Sequence, residues 1–99
     1  MKASLTVDGR QVPLNPFVEG FIANLCRGIL ASLKHTSGAT KAVFHIRKDR
    51  VELTADDKQV DLGEDKGFAM VIIRDTILGA VSHLKGVRGW KSLTISWQA

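Results

Sequence analysis

The chain contains one cysteine, and that scarcity removes a class of architectures: Cys26 has no partner, so no disulfide framework can hold the fold. It lies instead among apolar residues at helical spacing, where a free cysteine behaves as a small hydrophobe. Long apolar runs are also missing. The best candidate, residues 68–84, carries Arg74 and Asp75 at its middle, where a membrane-spanning helix would have to bury both charges. The opening MKASLTVDGR has a lysine but no apolar stretch behind it, unlike a secretory signal. The expectation is a soluble cytoplasmic protein.

Chemistry-bearing clusters are equally scarce. His35, His45 and His83 are separated by strand and loop, and His83 has neither a carboxylate nor a second histidine three or four residues away, so a metal set is not expected. Asp56-Asp57 reads as a turn and Glu64-Asp65 as a helix start, rather than as an acid-base pair. Residues 63–67 begin and end in glycine without the GK[ST] ending of a phosphate-binding loop. No nucleophile has an activating neighbour. The chain therefore reads as a non-enzyme with no catalytic residue, no metal and no cofactor.

What is present is ordinary globular material: 44% hydrophobic and 24% charged residues over 99 positions, with a net charge of +4. That length suits one domain, residues 1–99, and the mild positive charge permits an acidic partner without demanding one.

Within it the chain says nearly the same thing twice. Residues 5–14 read LTVDGRQVPL and residues 53–62 read LTADDKQVDL, identical at six of ten positions at an offset of 48. After a three-residue insertion the match continues at an offset of 51, where Phe17, Ile22, Gly28, Leu33, Lys34 and Gly38 meet Phe68, Ile73, Gly79, Leu84, Lys85 and Gly89. The internal repeat is 3–47 and 51–97.

Each unit predicts the same elements. Leu5 and Val7 alternate with Ser4 and Thr6, Asp8-Gly9 supplies tight-turn chemistry, and the chain returns through Val12 and Leu14. Asn15-Pro16 opens a helix to about Lys34 with an apolar stripe of Phe17, Val18, Phe21, Ile22, Leu25, Cys26, Ile29 and Leu33. Gly20, Ala23, Asn24, Arg27 and Ala31 form its expected outer face. A strand then alternates Ala42, Phe44 and Ile46 with Val43, His45 and Arg47. The second unit repeats the order: a hairpin around Asp56-Asp57, a helix over about 66–85 with Glu64 and Asp65 at its positive end, and a last strand over 91–97 that places Leu93, Ile95 and Trp97 on one face.

The expected fold is α+β: a two-layer sandwich of a duplicated ββαβ unit, with both helices on one face of a mostly antiparallel, mixed sheet. If each helix spans its sheet lengthwise and the four residues 47–50 form a hairpin, the units run in the same direction. At least one parallel pair follows. The expected core includes Leu25, Ile29, Phe44, Leu53, Ile73 and Ile95.

Two surfaces attract attention. Met70, Val71 and Leu78, with Arg74 at their rim, fall opposite the core stripe of the second helix, and an apolar outer face implies an interface. The leading expectation is accordingly a protein-interaction or self-associating module, a homodimer or the ligand of a protein partner, that uses its helical face. Glycines 28 and 79, equivalent and mid-helix, point to close approach of the two helices or of a partner helix. The alternative is a weak electrostatic nucleic-acid binder using Lys85, Arg88, Trp90 and Lys91, since an aromatic among cations suits stacking and phosphate contact. Arg47, Lys48 and Arg50 form a second basic group, expected at the opposite end of the sheet.

Overall fold

The computed structural model of the protein describes residues 1–63 and 67–99. The expected helix start at Lys66 and the dipole role of Glu64 and Asp65 lie outside the described residues.

Strand β1 (Lys2–Val7) turns Ala3, Leu5 and Val7 inward and meets β2 (Arg10–Val12) through Asp8 and Gly9. Both turn residues have positive φ, 49° and 81°, as a two-residue hairpin whose twist matches its strands requires. Helix α1 (Pro16–Ser32) starts where expected: the Asn15 Oδ1 accepts a 2.8 Å hydrogen bond from the Val18 amide, and proline follows in the first turn. Strands β3 (Lys41–Arg47) and β4 (Val51–Ala55) form the central hairpin. Asp56 and Asp57, with φ of 50° and 67°, lead into β5 (Lys58–Gln59). Helix α2 (Phe68–Val81) and β6 (Ser92–Gln98) complete the chain.

The sheet has the order β2-β1-β6-β3-β4-β5, and every pairing among the described residues is antiparallel. The α+β two-layer architecture is as the sequence implies. The expected parallel pair is not formed, because the helices cross the strands instead of running along them. Glu19, near the start of α1, accepts from the Ala3 amide of β1; Ala23 one turn on accepts from Trp97 of β6; the segment after the helix reaches Ala55 and Lys58 of β4 and β5. A helix laid across the sheet leaves its next strand free to run either way. β3 therefore runs parallel in sense to β1 without touching it, and the two units point in opposite directions.

Exchanging each strand for its counterpart leaves the order unchanged. The registers agree as well: Leu5↔Ile95 on one side corresponds to Leu53↔Phe44 on the other, at the offsets of 48 and 51. The central pair Phe44↔Ile95 corresponds to itself. This is an approximate two-fold arrangement about the Phe44–Ile95 pair, compatible with a duplicated unit.

Phe44, Leu53, Ile73 and Ile95 are buried as expected, with Leu5, Ile46, Ile77, Val81 and Leu93. Leu25 and Ile29 are half-buried and pack against this core. The facing of α1 differs from expectation. Its buried residues are Ile22, Ala23, Cys26 and Leu30, while Phe17 and Phe21, expected inside, are exposed. The small Ala23 and Cys26 let the helix approach the sheet closely enough for the Trp97 indole to donate a 3.0 Å hydrogen bond to the Ala23 carbonyl. Burial pushes the Cys26 thiol up to about 12, so it stays a neutral core group.

Candidate interaction surface

The uncovered side of the sheet is polar. Ser4, Thr6, His45, Glu52, Thr54, Thr94 and Ser96 share it, with His45 Nδ1 2.8 Å from Thr94 Oγ1. Val43 is its exposed apolar residue. Such a face is comfortable in water.

The helical side is not. Phe17 is 77% exposed, Phe68 81%, Phe21 53% and Ile72 45%. These are two equivalent pairs, since an offset of 51 carries Phe17 to Phe68 and Phe21 to Ile72. The rings of Phe17 and Phe21 stand 6.2 Å apart. Between the helices runs an open groove of ≈ 520 Å³, walled by Leu25, Gly28 and Ile29 of α1 and by Phe68, Ile72 and Ile73 of α2.

The expected interface residues lie elsewhere on α2. Met70 is buried in the core, Val71 and Leu78 are half-buried, and Leu78 packs against the core. Arg74, half-buried, donates from Nη1 to the Lys48 carbonyl at 3.0 Å and sits 3.3 Å from the carboxylate of Asp75. The rotation has a physical cause. This helix is apolar on most of its circumference, and the flank of Met70, Ile73, Ile77 and Val81 meets the sheet, just as Ile22, Cys26 and Leu30 do on α1. Phe68 and Ile72 are what remain outside. A sequence signal for them exists: Phe17, Phe21 and Gly28 on α1 and Phe68, Ile72 and Gly79 on α2 recur at helical spacings of four and seven.

A Cβ placed on Gly28 or Gly79 meets nothing within 4 Å, so the expected close helix approach does not occur within the chain at these residues. Both glycines are exposed; Gly28 lies inside α1, where glycine costs ~1 kcal/mol relative to alanine, and Gly79 lies in the last turn of α2.

The basic residues are arranged differently from expectation. Arg47 pairs across the sheet with Ser92, which brings the 47–50 turn beside the segment before β6. Lys48 Nζ stands 4.0 Å above the half-buried Trp90 ring, a cation–π contact. Both basic groups thus occupy one end of the sheet, because β3 ends where β6 begins. Lys85, Arg88 and Lys91 are exposed. Asp8 belongs to this end but is already engaged: its carboxylate accepts from the Ser92 amide at 2.8 Å and the Lys91 amide at 3.0 Å, which holds it below the ordinary aspartate value. At the other end Asp56 accepts from the Thr40 and Lys41 amides at 2.9 and 3.1 Å, with the same consequence. Salt bridges join Lys41 to Asp57 and Arg50 to Glu52, both on the surface.

No protein-family model, curated protein or solved structure matches the chain. Among the described residues no helix is long and apolar enough to cross a membrane.

Proposed function

We propose that the chain is a protein-interaction module, self-associating or partner-binding, whose docking surface is the outer side of α1 and α2. One observation carries this reading: Phe68 and Ile72 stand exposed along the groove between the helices and Phe17 and Phe21 stand exposed at the repeat-equivalent positions of α1, while the opposite face of the sheet is polar. Scattered exposed hydrophobics are ordinary, but a contiguous apolar patch marks an interaction site. Each Å² of it removed from water by a partner is worth ~25 cal/mol. The patch replaces Met70 as the centre of the docking surface and keeps Val71, Arg74 and Leu78 at its far margin.

A photo-cross-linking benzophenone side chain at position 68 tests this in cells. Adducts to protein are expected from position 68 and not from the same group at Ser96 on the sheet face. Equal labelling from both positions, or none from either, contradicts it.

A second reading is favoured by the convergence of both basic groups on one end with Trp90 between them: weak, electrostatic contact with nucleic acid through Lys85, Arg88, Trp90 and Lys91, joined by Lys48. Such binding releases counterions and collapses as salt rises. Single-stranded oligonucleotides that perturb Trp90 fluorescence at low salt and lose the effect near physiological salt support it; no response at low salt disposes of it.

A further inference from the structure

We infer that the basic end of the sheet takes the phosphodiester backbone of a nucleic-acid strand laid across the strand ends, and that Trp90 serves there as the platform for Lys48 and not as a stacking surface for a base. The inference rests on the second reading above and deepens it by naming what is contacted.

The strand order decides the shape of the site. Arg10 opens β2, Lys91 immediately precedes β6, Arg47 ends β3, and Arg50 immediately precedes β4. The registers Val7↔Arg10, Val7↔Leu93 and Arg47↔Ser92 put all four at the same end of the sheet. From β2 to β4 the order β2-β1-β6-β3-β4 leaves four strand spacings of ~4.8 Å, a row about 19 Å long. A single phosphate group would need one point of contact. A row of cations matches a linear polyanion, and about five phosphates of one strand occupy that length at a rise of ~3.4 Å per nucleotide.

The row keeps most of its charge. Asp8, at the end of β1 between Arg10 and Lys91, has its carboxylate folded back onto the Lys91 and Ser92 amides. Arg50 shares its charge with Glu52 at 3.4 Å, and Asp49 is exposed in the turn. Among the described residues Arg10 and Arg47 form no ion pair. The other end of the sheet sets Lys2, Lys41 and Lys58 beside Asp56 and Asp57, with Lys41 tied to Asp57 at 3.0 Å.

The Trp90 ring is already engaged. It is half-buried and packs against the core, and the Lys48 ammonium stands 4.0 Å over it. The turn that carries Lys48 is held as well: the Arg47 amide donates to the Arg50 carbonyl at 2.9 Å, and Arg74 donates to the Lys48 carbonyl at 3.0 Å. A base would have to displace Lys48 to stack on the ring, whereas a phosphate meets the ammonium where it stands. Resting the lysine on the ring also reduces the rotamer freedom left to lose on binding.

Fluorescence anisotropy of a labelled homothymidine strand and of an abasic strand of equal length, titrated with the full chain over a range of salt, tests this. Both strands should bind at low salt with dissociation constants within about twofold of each other, since backbone contact ignores the bases. Lys48→Ala and Arg10→Ala, both at exposed positions, should each weaken the two strands alike and make the slope of log affinity against log salt shallower by ~0.7, the value of one phosphate contact on a single strand. Lys58→Ala, at the opposite end, should leave the slope unchanged. Trp90→Leu keeps every cation and should weaken both strands by the same factor; if circular dichroism shows it unfolded, the Lys48 and Arg10 variants carry the test. A base stacked on Trp90 would instead make the homothymidine strand about fivefold or more tighter than the abasic one. That result overturns the proposal, as does a slope indifferent to Lys48→Ala and Arg10→Ala. Failure of both strands to bind at low salt removes the second reading itself, and the proposal with it.

Discussion

Asp8 and Asp56 perform the same task at opposite ends of the sheet. Each occupies a left-handed turn position and folds its carboxylate back onto two amides of the strand beyond the neighbouring helix, Lys91 and Ser92 or Thr40 and Lys41. Backbone hydrogen bonding favours the charged form, so the folded chain holds both groups below the ordinary value of 3.8. A depressed carboxylate contributes stability that is fully present above its unfolded value and is lost as pH falls through its folded value. The denaturation midpoint should therefore drop as pH is taken below 3.8, and Asp8→Asn/Asp56→Asn should flatten that acid limb while leaving the neutral-pH fold intact. Identical acid limbs would contradict the assignment. Both aspartates were visible in the sequence as turn residues. Their amide partners were not, since residues 83 and 84 positions away for Asp8, and 16 and 15 for Asp56, become neighbours only through the strand order.

Phe44 illustrates what a single residue does for the core. It lies fully buried at the centre of the two-fold arrangement, opposite Ile95 and beside Leu53. Phe44→Ala should cost ~3–5 kcal/mol, the lost transfer energy of the ring plus the cavity it leaves. Chemical denaturation reads this directly. The strand alternation alone was enough to place it, because in a strand with one buried face the side chains leave no third choice.

At the scale of elements, hairpins were easier to read than helices. Asp8-Gly9 and Asp56-Asp57 sit between alternating strands, and the chain turns where that chemistry says it should. The Asn15 cap was equally plain. Removing it by Asn15→Ala should lower stability by ~1 kcal/mol, since the Val18 amide loses its acceptor; an unchanged thermal midpoint would show that water replaces it without loss.

Helix facing was harder. Periodicity identifies an apolar arc, but α1 and α2 each have an arc wider than a sheet can cover, and nothing in the spacing says which flank goes inside. The flank holding Ala23 and Cys26 wins on α1 because small residues permit the Trp97–Ala23 contact. Phe17 and Phe21 are left out as a result. The same rotation on α2 buries Met70 and exposes Phe68 and Ile72. The surplus of apolar surface was therefore readable, and its location was not.

For the whole molecule, the repeat announced two units, and the sheet order and registers are compatible with that reading. The relative direction of the units depended on whether the helices lie along or across the strands, a tertiary matter that element lengths do not decide. That one reversal brings Lys48 to Trp90, makes every strand pair among the described residues antiparallel, and sets α1 beside α2 with their equivalent faces turned the same way. The consequence is a molecule with one polar broad face and one that exposes Phe17, Phe21, Phe68 and Ile72.

The central claim is that the apolar face is covered when the protein works. Hydroxyl-radical footprinting tests it most directly, comparing the chain in cells with the purified chain at high dilution, and using Val43 on the open sheet face, 40% exposed, as the internal reference. Phe17, Phe21, Phe68 and Ile72 should be protected in cells and label freely on dilution, with Val43 unchanged. Labelling of the four that tracks Val43 under both conditions would show that water is the only occupant of the helical face, and would contradict the account.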